Sequence, residues 1–133
     1  MTSVPRRSRV LLSVGLLALL VSGCSSAERP EVERVATQFE DTSGDAQARC
    51  GLLMPRTLEQ LEEQSEASCT EAIQDLPLEG GDVSRVEVWG GDALVEVGGD
   101  TLFLTKASAG WRVAAAVCSP QPEGPYDCEV EGS

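Results

Sequence analysis

Histidine is absent from all 133 residues, so the serines, though plentiful, cannot be built into a Ser–His–Asp relay. Zinc sites of the finger type are excluded on the same ground. No Cys-x-x-Cys pair offers thiolates at the spacing that zinc or a redox-active motif uses. Basic residues are scarce: three of the ten precede Cys24, which leaves seven against 22 acidic residues and a net charge of −15 from Cys24 onward. Such a surface repels phosphates, and nucleic acid is excluded as a partner. Long apolar runs are missing too. The best, Val10 to Val21, has twelve residues; as a helix it spans about 18 Å, against the roughly 30 Å of a bilayer's hydrocarbon core. A membrane-spanning helix is therefore not expected.

What stands before Cys24 reads as an address. Arg6, Arg7 and Arg9 give a positive start, the apolar run follows, and Ser22-Gly23 supply the small residues a signal peptidase needs. Residues 1–23 are thus expected to be a signal peptide. Arg6-Arg7 also fits a twin-arginine export signal, although paired arginines are common in any charged signal start. The sequence Val21-Ser22-Gly23-Cys24 resembles a bacterial lipobox. That resemblance implies a diacylglyceryl thioether on Cys24 and a protein held by lipid on the outer face of the cell membrane. Each buried methylene contributes about 0.8 kcal/mol, so two or three acyl chains hold where one is marginal.

Setting Cys24 aside leaves four cysteines, an even number in a compartment where disulfides persist. Of the three pairings, Cys50–Cys69 and Cys118–Cys128 are favoured because each closes a short local loop. No cofactor and no metal is expected.

Residues 24–30 read as a short polar tether and 31–133 as one globular domain. Val32, Val35, Ala36 and Phe39 form a helical stripe. Asp45 can cap a second short helix with Ala46, Cys50 and Leu53 inward, and Pro55 suits the first turn of a third, with Leu58 and Leu61 as its apolar face. Ser68-Cys69-Thr70-Glu71 matches a capping box opening a helix through Leu76. After Pro77 the period becomes two: Val83–Trp89, Ala93–Val97, Thr101–Thr105 and Trp111–Cys118 read as four strands joined by tight glycine turns, an antiparallel meander. The near-repeat Val-Glu-Val…Gly-Gly-Asp at 86–92 and 95–100 fits hairpin turns better than a calcium repeat, which needs more copies. The tail from Ser119 to Ser133 is read as irregular, clamped only by Cys118–Cys128. The fold class is α+β, with helices covering one face of the sheet.

Helices followed by a curved meander is the order of NTF2-like cones, which this chain resembles. Cys50-Gly51-Leu52-Leu53 with Pro55 and Thr57, Cys69, Gly99-Asp100-Thr101-Leu102-Phe103-Leu104, Gly110-Trp111-Arg112-Val113 and Pro125-Tyr126-Asp127-Cys128 resemble a group of small actinobacterial lipoproteins across residues 28–131. That resemblance implies fold and location; it carries no activity.

Three functions are compatible with this reading. A non-catalytic module would bind a small apolar ligand or an envelope protein, with Trp89, Phe103 and Trp111 as candidate contacts. Trp111 and Phe103 also fit plain core positions, whereas Trp89 precedes a turn and suits exposure or a pocket wall. An NTF2-like enzyme would need a buried base, for which Glu87 or Glu96 is the candidate, although with Arg85 and Arg112 these also fit cross-strand pairs on a solvated face. An accessory subunit would present the acidic surface to a basic region of another envelope protein. The first is the expected function, with membrane contact through Cys24.

Overall fold

The computed structural model describes residues 24–132. The expected signal peptide therefore lies outside the described residues. Among those described, no helix is long and apolar enough to cross a membrane.

The first element corrects an expectation. Residues 24–30 do not form an extended tether but the opening turns of α1, Cys24–Glu40. Pro30 lies inside this helix and removes one backbone donor. The turn before it is held by side chains instead. Glu28 accepts from the Trp111 indole N–H at 2.6 Å and pairs with Lys106, and Arg29 donates to the Val86 carbonyl at 2.9 Å. Beyond Pro30, Val32, Val35, Ala36 and Phe39 are fully buried, the stripe that the sequence spacing predicts.

Helix α2 (Ala46–Cys50) is capped by Asp45, whose carboxylate accepts from the Ala48 N–H at 2.9 Å; α3 (Pro55–Ser65) opens on its proline. Helix α4 (Cys69–Ala72) stops well short of Leu76, because the Gln74 and Asp75 N–H groups bond three residues back, to Glu71 and Ala72, and tighten the chain into turns before Pro77. The Cys50–Cys69 disulfide ties α2 to α4.

The sheet has five strands, not four: β1 (Val83–Trp89), β2 (Asp92–Val97), β3 (Asp100–Ala107), β4 (Gly110–Ser119) and β5 (Asp127–Glu131), in sequential antiparallel order. The expected loose tail thus contributes β5, which pairs with β4 through Ala116↔Val130 and Cys118↔Cys128, the second disulfide bridging the latter pair. Val130 is its one fully buried side chain. Ahead of β5, the Leu52–Met54 segment bonds to both backbone groups of Val113 at 2.8 Å.

The helices cover one face, where Val86, Ala93, Val95, Val97, Leu102, Leu104, Trp111, Val113 and Ala116 meet α1 and the smaller helices in a single core. The β1–β2 and β3–β4 turns lie at one end of the sheet; the β2–β3 turn and residues 120–126 lie at the other. Helix α1 runs between these ends, with Glu28 beside Lys106 and Trp111 and Glu40 beside Asp100. At the second end the chain crosses itself closely. A Cβ on Gly98 (φ +61°) would stand 1.8 Å from the Gly80 carbonyl oxygen, so no other residue fits there.

Candidate functional site

The candidate contacts separate by location. Trp111 is fully buried and its indole N–H is taken by Glu28, so its surface is spent on packing against α1. Phe103 and Trp89 lie on the outer face of the sheet, opposite the helices. Trp89 alternates with the inward-facing Val86 and Val88 and is 49% exposed, the one exposed large hydrophobic residue among those described.

On that face the register places Leu94 opposite Phe103 and Phe103 opposite Ala115. Trp89, paired with Asp92, is the diagonal neighbour of Leu94, within reach of a large ring. The outer face therefore carries an apolar diagonal from Trp89 through Leu94 and Phe103 to Ala115. Residues 120–126 fold back at its far end, where the Tyr126 ring meets Phe103 edge-on with centroids 5.2 Å apart. Phe103, Ala115, Pro125, Tyr126, Cys128 and Glu131 line an open hollow of about 330 Å³. Of the exposed acidic residues on alternate positions of β5 (Asp127, Glu129 and Glu131), Glu131 is in its lining.

Glu87 and Glu96, the candidate buried bases, are on the same outer face but not buried. Glu87 is exposed and Glu96 half-buried, and both pair with Arg85, at 2.6 and 3.3 Å. They form a surface charge cluster. Their flanking carboxylates hold the Arg85 guanidinium above its ordinary range, Glu87 more than Glu96.

The buried carboxyl is elsewhere, where sequence reasoning did not look. Glu40 ends α1 with 1% of its surface exposed, its carboxyl enclosed beside Asp100 and Gly80. Burial pushes its pKa up to about 8; the neighbouring Asp100 carboxylate adds to this by accepting the retained proton and by its charge, while the Gly80 N–H and Arg49 oppose it. The carbonyl end of α1 also disfavours an anion there. Asp100 is itself held by backbone donors: Thr101 N–H at 2.7 Å, Val117 N–H at 3.0 Å and Cys118 N–H at 3.1 Å. The last two converge because β4 bulges between the Phe103↔Ala115 and Thr101↔Cys118 pairs, with Val117 at φ +54°. For a β-branched residue that conformation costs ~1–3 kcal/mol. Arg49, also buried, donates to the Phe39 carbonyl at 2.9 Å, and burial pulls its pKa below the usual guanidinium range.

A signal for Glu40 was present. It continues the row Val32–Ala36 by another four residues and so falls on the apolar stripe. Asp100 looks like an ordinary turn residue after Gly98-Gly99, and nothing local marks its partners 17 and 18 residues on. Among the described residues no group of three or more metal-ligating side chains is placed to hold an ion. No family model, curated protein or solved structure matches the chain.

Proposed function

We propose that this protein is a lipid-anchored, extracytoplasmic binding module of NTF2-like arrangement, non-catalytic, that takes a basic segment of an envelope protein on the outer face of its sheet. The observation that carries the reading is the open hollow around Phe103, Ala115 and Tyr126 beside the carboxylate row of β5. An apolar floor admits one anchoring side chain of a partner, and the acidic border favours lysine or arginine flanking it. A partner protein is preferred to a small ligand because the helix-covered face is filled by core side chains, including Trp111 and Phe39. The two disulfides suit an oxidising compartment.

The reading is tested by site-specific photocrosslinking in the native envelope. A photoreactive residue replacing Tyr126 should capture one discrete partner, and one replacing the exposed Gln64 should not. Capture should weaken as salt rises and disappear in Phe103→Asp, and the partner should carry a lysine- or arginine-rich segment at the crosslink. Equal capture from both positions, or capture indifferent to salt and to Phe103→Asp, contradicts it.

A further inference from the structure

We infer that the end of the domain bearing the β1–β2 turn is a membrane-contacting surface, with Trp89 inserted at the lipid–water boundary beside the anchor on Cys24. This rests on the lipid-anchor reading. Its geometric basis is that α1 begins at Cys24 and is fixed to the sheet within its first two turns. Glu28 holds Trp111 and Lys106, and Arg29 holds the Val86 carbonyl. From Cys24 to Glu28 a helix rises about 6 Å. A polar tether would let the domain tumble above the bilayer. A docked helix fixes which end faces it.

That end is the one where Trp89 is exposed. Ser26 and Arg29 of α1 line one shallow cleft with Val86, Glu87 and Val88 of β1, so the first turns of the helix and the strand leading into Trp89 are adjacent. The half of Trp89 left in solvent here is an amphipathic ring that suits the headgroup level of a bilayer. Arg29, Lys106 and Arg112 are at or near this end beside the carboxylates of Glu28, Glu31 and Asp92, while Glu79, Asp82, Glu123 and Asp127 are at the opposite end.

The experiment uses the full protein recovered from its membrane and reconstituted into phosphatidylcholine–phosphatidylglycerol vesicles whose acyl chains carry bromine near the headgroup. The same sample is weighed intact for lipid on Cys24. The chain has only two tryptophans, and Trp111 is buried under α1. The inference expects brominated lipid to quench the wild type and this quenching to be lost in Trp89→Phe. Lipid on Cys24 with equal emission in brominated and plain vesicles overturns the inference and leaves the anchor reading intact. Lipid present, with Trp89 unquenched by bromine yet shielded from acrylamide only in native membranes, also overturns it and assigns the surface to a protein. Absence of lipid on Cys24 overturns both.

Discussion

Glu40→Gln makes the domain more stable at pH 8 and leaves it almost unchanged near pH 4.5. The unfolded chain releases the Glu40 proton near the ordinary 4.5, whereas the folded state retains it to about 8. The folded state thus binds the extra proton between those values. Its stability is fully present below pH 4.5 and is lost as pH rises through about 8. Glutamine keeps the shape, donates an N–H to Asp100 and cannot ionise. The gain at pH 8 should be a few kcal/mol, a rise in melting temperature of roughly 10 °C for a domain of this size. Thermal melts of both proteins from pH 4 to 9 check it. Parallel curves across that range would show that Glu40 does not carry a proton in the folded state.

Asp100→Ala should be the most damaging single exchange at the same end of the sheet. It strips the Thr101, Val117 and Cys118 N–H groups of their shared acceptor and leaves the strained Val117 bulge without the contact that fixes it. The expected cost is roughly 3–5 kcal/mol, the range for orphaning buried donors bound to a charged group. A second effect separates this from a generic loss of packing. Glu40 loses both contributions of Asp100 to its elevation, so its carboxyl titration, followed by carbon NMR, moves down from about 8 but stays above the ordinary range because burial remains. Chemical denaturation and that titration together check the exchange. A destabilised variant with an unmoved Glu40 would mean the two carboxyls are independent.

The parts legible in sequence are those governed by local periodicity. The α1 stripe and the four strands from Val83 to Cys118 follow from spacing within a few residues, and the two cysteine pairs from their short loops of 19 and 10 residues. What escaped is non-local. Residues 24–30 are polar and end in proline, which reads as a tether; they are helical in company with Trp111, 83 residues beyond Glu28. Strand β5 has one deeply buried side chain, Val130, in an alternation too short and too acidic to stand out. The outer face was readable as charged from Arg85, Glu87 and Glu96, but its apolar diagonal depends on the register of β2, β3 and β4. A residue-by-residue reading of separate strands does not supply that register. The same limit hid the Glu40–Asp100 pair, whose members belong to a helix end and a strand start 60 residues apart.

The most direct test of the account is the intact mass of the protein extracted from the membrane fraction of its host. The account predicts a chain beginning at Cys24, carrying a diacylglyceryl group, with four hydrogens fewer than the reduced chain for its two disulfides. A chain that begins elsewhere, or begins at Cys24 without lipid, would contradict it.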